Sequence, residues 1–340
     1  MIPVIICGGI GSKMWPESRQ KCPKHFLPLL NGKSLFQINY ETLREKFKPE
    51  EIFVSTTEQQ VALAKAVATD IPESNYFVEP EMRNQGPATG FVAANLYKKF
   101  PDEPFMLVQV DVLREPREKF FEMMDEVDKL IKEKGRVVTA GMKPSFAVMG
   151  VDYLIVDPAT HRMSQWLGRG EKEVIEKYLA TGEALIHTNH YAWTPRAMLE
   201  CFKKRKPEWY EPLMAIVNGG EVVAQYTKMP KGPIEEVMQF ELLDGFVVEL
   251  PFNWIDFGTW ESVTKYLGER GMYQPQDVQE VEAKNNFVRK PAGKYVAMIG
   301  VEDLVVIDTG DALLVTKRDQ SGKVGQVVDK LKADGRAELL

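Results

Sequence analysis

The first part of the chain alternates short apolar runs with longer amphipathic stretches. Residues 2–7 form the first run, which predicts a strand buried on both faces of a sheet because no polar residue interrupts it. Apolar runs of the same kind predict strands at 52–55, 76–78, 105–110 and 137–140. Apolar residues at helical spacing predict helices at 34–47, 58–69, 86–100 and 117–134. This alternation is typical of an α/β fold, in which helices cover a sheet.

The rest of the chain follows a different pattern. Between 141 and 270 it is mixed, and the segments 163–170 and 245–254 predict strands added antiparallel to the sheet. Near the end, turn residues separate apolar runs that predict strands at 294–299, 303–308 and 311–316, before a helix at 324–332. The segment 268–281 is rich in charge and turn formers. We therefore predict a larger α/β domain over 1–270 and a smaller β-rich domain over 285–340.

Composition and charge narrow the classes of function. The 340 residues carry 43 Lys and Arg against 49 Asp and Glu, a net charge of −6, so we expect no broad surface for nucleic acid or anionic membrane. The apolar start of the chain ends at Gly8, too early for a signal peptide or a membrane span. Cys7, Cys22 and Cys201 are an odd number at unrelated spacings, which argues against a disulfide framework or a zinc site. We expect a cytoplasmic protein.

Closely spaced glycines follow the first predicted strand. Gly8, Gly9 and Gly11 let the backbone approach a ligand, and the N–H groups of such a loop bind phosphate oxygens. Lys13 and Lys24 would add cations. The spacing matches neither the dinucleotide fingerprint nor the Walker loop. On the glycines alone, a tight turn with surface lysines explains the pattern equally well.

The segment 8–29 resembles the N-terminal signature of the sugar-1-phosphate nucleotidyltransferases, GGxGxRLxPxTxxxPKxxxPL. The matching residues are Gly8, Gly9, Gly11, Pro16, Pro23, Lys24, Pro28 and Leu29. Within that family, Trp15 and the run 23–27 resemble the mannose-1-phosphate guanylyltransferases, whose version reads LWPxSRxxxPKQFL. Lys13 stands where the signature has Arg, so it keeps the charge and loses the bidentate geometry.

Three further segments resemble the same family in the same order. Residues 79–89 are similar to EPxxRNTAPAI, residues 254–260 to WxDVGSW, and residues 300–315 to GxxDLVVVxTxDALLV. The resemblance covers nearly the whole chain. It implies a Rossmann-like, glycosyltransferase-A-like mixed sheet flanked by helices, with a small C-terminal β-rich domain resembling a short left-handed β-helix.

A pair of aspartates is the candidate metal site. Asp111 follows a predicted buried strand, at the sheet edge where α/β folds bind ligands, although a strand-end Asp is also a common cap or turn former. The resemblance assigns a metal to Asp111 and Asp256, where two carboxylates and a triphosphate would bind Mg²⁺. It implies that Lys13 acts on the leaving phosphates and Lys24 on the α-phosphate and the sugar phosphate.

The remaining motif residues are candidates for binding the nucleotide. They are Gly8, Gly9, Gly11, Ser12, Arg83 and Asn84. Without the resemblance, Arg83 and Asn84 are explained equally well as part of a solvated loop.

Departures from the family cluster on the sugar side. Its PSDH or PADH aligns with 109–112, which keeps Asp111 and replaces the His by Val112. Its TGYGYI aligns with 149–154, which puts Asp152 at the second Gly. Its FxEKP aligns with 166–170, which loses the carboxylate at Gly168 and changes Lys to Arg169.

The last departure puts a histidine in the predicted sugar pocket. The family's WNSGMF aligns with 186–191, so His187 stands at its sugar-binding Asn. Glu235 lies near its IDYAVME segment, although a charged helix N-terminus explains Glu235 equally well. The departures indicate another sugar, a rearranged hydroxyl network or weakened catalysis. The sugar-phosphate candidates are Gly150, Asp152, Arg169, His187, Asn189 and Glu235.

The leading hypothesis is transfer of GMP from GTP to mannose 1-phosphate, with release of pyrophosphate and formation of GDP-mannose. One alternative is a catalytically weak regulatory or binding relative, and another is a nucleotidyltransferase for a different sugar or base. The expected partners are GTP or another nucleoside triphosphate and a sugar 1-phosphate. The apolar faces of the C-terminal strands need a covering surface, so we expect them to dock on the larger domain or form a homodimer.

Overall fold

The computed structural model describes residues 1–340, and its contacts divide the chain into two compact units. The first unit comprises Met1–Gly8, Tyr40–Gln109 and Arg114–Trp254. The second comprises Gly9–Asn39, Val110–Leu113 and Ile255–Leu340. The units therefore do not divide the chain at 270–285, because the signature segment groups with the C-terminal residues. Domains at 1–270 and 285–340 stay a prediction.

Helices occur where the apolar spacing predicts them. The helix at 117–134 has the predicted bounds, those predicted at 34–47 and 58–69 are shorter at both ends, and the one predicted at 86–100 starts one residue earlier and ends three residues earlier. The helices are α1 Leu35–Arg44, α2 Val61–Val67, α3 Gln85–Tyr97, α4 Arg117–Lys134, α5 Lys172–Thr181, α6 Pro195–Arg205, α7 Pro207–Val217, α8 Val222–Tyr226, α9 Glu235–Glu241, α10 Trp260–Glu269 and α11 Val324–Ala333. None of them is both long and apolar enough to cross a lipid bilayer.

The strands predicted from apolar runs are present with small shifts at their ends, except that the segment 245–254 is divided between two strands, β11 and β12. The strands are β1 Ile2–Cys7, β2 Phe53–Thr57, β3 Tyr76–Glu79, β4 Phe105–Gln109, β5 Val112–Glu115, β6 Val138–Met142, β7 Tyr153–Val156, β8 Met163–Leu167, β9 Ala184–His187, β10 Ala192–Trp193, β11 Phe246–Glu249, β12 Asn253–Asp256, β13 Val278–Val281, β14 Phe287–Arg289, β15 Val296–Ile299, β16 Leu304–Asp308 and β17 Leu313–Lys317.

The first unit is built on one mixed sheet. Its strand order is β3-β2-β1-β4-β10-β6-β9-β7-β8, and β11 also pairs with β6. Strands β1 to β4 run parallel, and the completely buried Val4 and Ile5 on β1 confirm that this strand is covered on both faces. The sequence therefore predicted the mixed α/β sheet correctly.

One predicted strand direction is wrong. β8 pairs antiparallel with β7, as predicted for 163–170. β11 instead runs parallel to β6, with Phe246 opposite Val138 and Glu249 opposite Gly141, so the antiparallel prediction for 245–254 fails. The helices α6 to α9 lie between β10 and β11 in the chain, and they supply the long crossover that a parallel pair requires.

The second unit contains the predicted C-terminal strands and two more. β15, β16 and β17 are the predicted ones, followed by α11. β13 pairs parallel with β15, and β14 pairs parallel with β16, whereas β17 is antiparallel to β16. The sequence missed β13 and β14. β13 is short and mostly exposed and lies within the charged, turn-rich segment 268–281, and β14 is only three residues long. Buried side chains from separate segments form the core, among them Met14, Leu35, Phe257, Trp260, Val305 and Ile307.

Helix α3 is buried along most of its length because small residues let α7 approach it. A Cβ at Gly86 would lie 2.2 Å from Trp209 Cη2 and 2.8 Å from the backbone oxygen of Gly232. Both distances are far inside van der Waals contact. Gly86 is therefore required by the close packing of Trp209.

We expect Gly86→Ala to lower the free energy of unfolding by about 1–3 kcal/mol, because the added methyl group overpacks this contact. Gly268→Ala is the matched control: it also lies in a helix, nothing is within 4 Å of its added Cβ, and it should be neutral or slightly stabilising. Urea unfolding of both variants measures the difference. Equal stabilities for the two variants would contradict the close contact.

Candidate functional site

Gly11, in the second unit, shapes the loop that carries the predicted phosphate-binding residues. Its φ of 79° is in the left-handed region, which favours glycine, and a 3-10 turn over Ser12–Met14 follows it. A Cβ at Gly11 would lie 2.5 Å from Lys24 Cβ. Gly11 thus lets the backbone pass directly against the stem of Lys24.

Lys24 and Asp111 form an ion pair in the same unit. Lys24 Nζ lies 2.8 Å from Asp111 Oδ2, and the Lys24 side chain is 7% exposed whereas that of Asp111 is 40% exposed. Desolvation by itself raises the pKa of Asp111, but the charge and hydrogen bond of Lys24 outweigh it and the pKa lies below its ordinary value. The structure therefore brings together two predicted site residues that are far apart in sequence, as a lysine and an ionised carboxylate.

Asp256 is the second carboxylate of this cluster. The backbone N–H of Phe257 donates to Asp111 O at 3.1 Å, which holds the two aspartates on neighbouring segments. Desolvation, followed by the negative charge of Asp111, raises the pKa of Asp256, while the ammonium groups of Lys24 and Lys13 act in the opposite direction. The carboxylates of Asp111 and Asp256 thus repel each other, and two lysines lie near enough to Asp256 to favour its ionised form.

The chemistry of this donor set fits a divalent cation that arrives with a phosphate ligand. No group of three or more His, Cys, Asp or Glu side chains in the chain could hold a metal ion by itself. Mg²⁺ is commonly held by one or two carboxylates together with substrate phosphates and water. Asp111 and Asp256 match that requirement, and the raised pKa of Asp256 reflects burial and then a repulsion from Asp111 that a cation would relieve.

The C-terminal residues of the second unit pack onto its signature segment, in agreement with the expectation that they dock on an earlier part of the chain. The guanidinium of Arg19 donates to both carboxylate oxygens of Asp311 at 3.0 Å. At the start of α11, a Cβ on Gly325 would lie 3.6 Å from Ser12 Oγ and 3.8 Å from Lys13 Cγ. Lys13 itself is exposed, so its amino group is accessible to a ligand.

In the first unit, Glu79 is a buried carboxylate beside Gly8. Its Oε2 accepts a hydrogen bond from Tyr226 Oη at 2.5 Å and its Oε1 one from Ser55 Oγ at 3.4 Å. A Cβ on Gly8 would lie 3.7 Å from Oε1. Burial raises the pKa of Glu79 to about 7. Sequence reasoning assigned Glu79 no role, although a carboxylate at the end of a buried strand is a detectable signal.

The predicted nucleotide-binding residues Arg83 and Asn84 have local partners in this unit. Arg83 donates from Nε to Glu81 Oε1 at 2.5 Å and from Nη1 to the Met229 carbonyl. Asn84 Oδ1 accepts from the N–H of Gln85 at 2.8 Å, at the N-terminus of α3. These contacts order the segment, and binding of the nucleotide by Arg83 and Asn84 stays a prediction.

Three acidic groups meet in the predicted sugar pocket. Burial, followed by the charges of Glu235 and Asp152, raises the pKa of the Tyr191 hydroxyl well above its ordinary value. Burial, together with the charge of Asp152, also raises the pKa of Glu235. These electrostatic effects mean that Asp152 and Glu235 lie near Tyr191. The sequence analysis assigned no role to Tyr191. Two predicted sugar-binding residues from distant parts of the chain are therefore neighbours.

His187 lies beside this cluster as a neutral side chain. It is 8% exposed, and burial lowers its pKa to about 3. Its Nε2 lies 3.3 Å from Thr139 Oγ1, and its ring meets Trp166 edge-on at 4.8 Å between ring centres. The N–H of His187 donates to Asp152 O at 2.9 Å. His187 can therefore present a hydrogen bond without adding charge.

Asp152 occupies the space beside Gly168. Because Tyr153 pairs with Leu167, positions 152 and 168 face each other across the β7–β8 hairpin. Asp152 Oδ1 lies 3.8 Å from where a Cβ of Gly168 would be. The hairpin thus carries a carboxylate at 152 next to the position where the family pattern has its Glu.

The other predicted sugar-binding residues behave differently. Asn189 has a φ of 56° and stands at the family's Gly, and its Oδ1 is buried without a hydrogen-bond partner. Gly150 and Arg169 are exposed, and Arg169 forms no hydrogen bond or ion pair. No contact joins these last two to the acidic group, so their roles stay predictions.

Comparisons with known proteins agree with the motifs. Residues 2–268 match the family described as nucleotidyl transferase, and residues 276–331 match the MannoseP isomerase/GMP-like beta-helix domain. The second match confirms the predicted β-helix character of the C-terminal region.

Similar proteins cover almost the whole chain. Xanthan biosynthesis protein XanB of Xanthomonas campestris pv. campestris (strain B100) is 27% identical over 99% of this chain and 74% of its own length. Mannose-1-phosphate guanylyltransferase of Klebsiella pneumoniae is 28% identical over 99% of this chain and 75% of its own. The crystal structure of mannose-1-phosphate geranyltransferase from Thermus thermophilus superposes with a TM-score of 0.81 at 25% identity, covering 97% of this chain and 99% of that one. With the family match spanning residues 2–268, this chain belongs to the nucleotidyl transferase family.

Proposed function

We propose that this protein transfers a nucleoside monophosphate from a nucleoside triphosphate to a sugar 1-phosphate, with GTP and mannose 1-phosphate as its substrates. The observation that carries the proposal is the cluster of Lys24, Asp111 and Asp256 beside the Gly11 loop. Lysines can bind the phosphate oxygens of a triphosphate, and a pair of carboxylates can bind the divalent cation that accompanies it. The guanylyltransferase of Klebsiella pneumoniae, similar over nearly the full chain, supports this pair of substrates.

The reaction needs positioning and charge stabilisation more than covalent chemistry. A phosphate oxygen of the sugar 1-phosphate attacks the α-phosphorus in line, and the bond from that phosphorus to the β-phosphate oxygen breaks. The products are the nucleotide sugar and pyrophosphate. Lys24 stabilises negative charge at the α-phosphate, and the exposed Lys13 binds the leaving β- and γ-phosphates.

Asp111 and Asp256 are the residues that would hold Mg²⁺. When bound, the cation would neutralise charge on the phosphate oxygens. Lys24 keeps Asp111 ionised in its absence. We further propose that the protein acts in the cytoplasm, in agreement with three cysteines that are all free. A homodimer stays a prediction.

Glu79 is the residue that we propose to recognise the base of the nucleotide. A carboxylate has about four acceptor sites, and Tyr226 and Ser55 use two of them. Guanine presents two adjacent donors, N1–H and N2–H, on its Watson–Crick edge, and adenine places an acceptor in the middle of that edge. A carboxylate next to Gly8 therefore favours guanine over adenine.

Two alternatives remain distinguishable. A binding or regulatory relative would bind GDP-mannose tightly and turn GTP over at a rate that Asp111→Ala does not change. A transferase for another sugar or base would reject mannose 1-phosphate or GTP and accept a different pair. The departures from the family pattern at Asp152, Gly168 and His187 motivate both alternatives.

Pyrophosphate release from GTP, mannose 1-phosphate and Mg²⁺ tests the proposed function. We expect Asp256→Asn to lower the rate by at least about 100-fold, since metal and phosphate stabilisation contribute several kcal/mol. Its melting temperature should stay equal or rise, because the change removes a repulsion with Asp111. Asp157→Asn, at an exposed turn, is the control and should keep full activity. No turnover by the wild type with this pair, but turnover with another sugar phosphate, would refute the substrate assignment.

Glu79→Gln tests the base. The variant exchanges an acceptor for a donor, so we expect the preference for GTP over ATP to fall by about 10- to 100-fold, the range of one bidentate base contact. Protonation of wild-type Glu79 below pH about 7 removes an acceptor, so its KM for GTP should rise as the pH falls. Glu79→Gln should lose that part of the pH dependence. The exposed Glu73→Gln is the control, and an unchanged GTP preference in Glu79→Gln would exclude Glu79 as the residue that recognises the base.

A carboxylate exchange tests the sugar pocket. We expect Asp152→Gly to raise the KM for the sugar 1-phosphate by about 10-fold, since the ligand then loses hydrogen bonds to a charged group. Gly168→Glu by itself sets two like charges opposite each other on the hairpin and should also impair binding. The double variant moves the carboxylate back across the hairpin and should recover most of the wild-type KM. A double variant no better than the worse single variant would show that the two positions are not equivalent.

A further inference from the structure

The segment between β9 and β10, Thr188–Tyr191, is a buried turn in the first unit. It interrupts what would otherwise be one strand, because Asn189 has a left-handed φ of 56°. Thr188, His190 and Tyr191 are each at most 1% exposed. Buried polar groups are costly unless they are hydrogen-bonded, so the partners of this turn matter.

Arg114 fixes the proton positions of His190. The guanidinium has no acceptor, so Arg114 Nε–H donates to His190 Nε2 at 3.0 Å. The imidazole is neutral, since burial, followed by the charge of Arg114, lowers its pKa well below the ordinary value. Its proton is therefore on Nδ1, which donates to Thr188 Oγ1 at 2.9 Å. The Thr188 hydroxyl in turn donates to Ala140 O at 2.8 Å.

Gln109 holds the same turn from β4. Arg114 Nη2 donates to Gln109 Oε1 at 3.0 Å and to the Gln109 carbonyl at 3.2 Å. This orients the amide so that Gln109 Nε2 donates to the Asn189 carbonyl. The four side chains of Gln109, Arg114, Thr188 and His190 form one directional set, which we call the relay.

The relay determines where two buried polar atoms lie. Asn189 Oδ1 has no hydrogen-bond partner, whereas Tyr191 Oη faces the carboxylate of Glu235. Each belongs to the turn whose carbonyl and neighbouring side chains the relay holds. Asp152 and Glu235 act on Tyr191 electrostatically, so the acidic pair of the predicted sugar pocket lies beside it. An unpaired buried amide oxygen and a phenol hydroxyl beside a carboxylate are both groups that can hydrogen-bond the hydroxyl groups of a sugar.

We infer that Gln109, Arg114, Thr188 and His190 are positioning residues that hold Asn189 and Tyr191 in place to hydrogen-bond the sugar hydroxyls of the substrate. The inference rests on the proposed function. It also explains why departures from the family pattern occur together: Gln109 stands at its Pro, Asn189 at its Gly and His190 at its Met. In this chain these residues belong to one hydrogen-bond network. A substitution at one of them would leave hydrogen-bonding groups of the others without a partner.

Thr188→Val and Thr188→Ser form the test pair. Val keeps the branched shape and removes the hydroxyl that links His190 to Ala140, whereas Ser keeps the hydroxyl. We expect Thr188→Val to raise the KM for the sugar 1-phosphate by about 10-fold, because one hydrogen bond of a buried group is lost. The KM for GTP should stay near the wild-type value. Thr188→Ser should behave like the wild type. A purely structural role would instead lower the melting temperature without this separation between the two KM values.

Nitrogen-15 NMR of the histidine ring gives a second measurement that does not depend on turnover. The relay requires the Nδ1–H form of His190 in the wild type and in Thr188→Ser. Observation of the Nε2–H form in the wild type would overturn the relay, and so would equal KM values for the sugar phosphate in wild type and Thr188→Val. If the wild type turns over no sugar phosphate, the proposed function fails, and the NMR result alone decides whether the relay exists.

Discussion

The balance of charge around Lys24 is the constraint on which the predicted phosphate-binding residues of the second unit depend. A nearly buried ammonium is tolerable only with a partner, and Asp111 supplies it at 2.8 Å. That pairing keeps Asp111 ionised, and its negative charge in turn makes ionisation of Asp256 less favourable. Removing Asp111 would leave Lys24 unpaired, whereas neutralising Asp256 relieves a repulsion. The two aspartates are thus unequal: Asp111 is held ionised by its pairing with Lys24, and the ionised form of Asp256 is disfavoured.

The predicted sugar pocket, in the first unit, is rich in hydrogen-bond acceptors. Asp152 and Glu235 lie near Tyr191, and Asn189, two residues before Tyr191, has an unpaired Oδ1. The departures from the family pattern, which look like erosion when counted one by one, are compatible with each other in three dimensions. Asp152 lies beside the glycine that replaced a glutamate, and Gln109 contacts the turn that carries Asn189 and His190. This compatibility is what the rearranged pocket, one of the alternatives from the sequence, predicts.

Periodicity predicted the elements well where burial was two-sided or the helix was long. β1 and α4 have their predicted bounds because an uninterrupted apolar run and a regular apolar stripe leave no competing structure. The direction of β11 was wrong because a strand's own residues do not encode its partner, and the crossover through α6 to α9 decides it. β13 was missed because a short exposed strand has almost no apolar signal.

The sequence by itself determined the family and the mixed α/β sheet, and it predicted Lys24, Asp111 and Asp256 as candidate site residues, because motif spacing records which chemical groups follow which strand. It did not determine which side chains meet. The pairing of Lys24 with Asp111, the carboxylate of Glu79 beside Gly8, and the chain of hydrogen bonds from Gln109 through Arg114 to His190 join residues distant in sequence. Hydrogen bonds and ion pairs act over about 3 Å, so only the tertiary structure, which sets those distances, decides them.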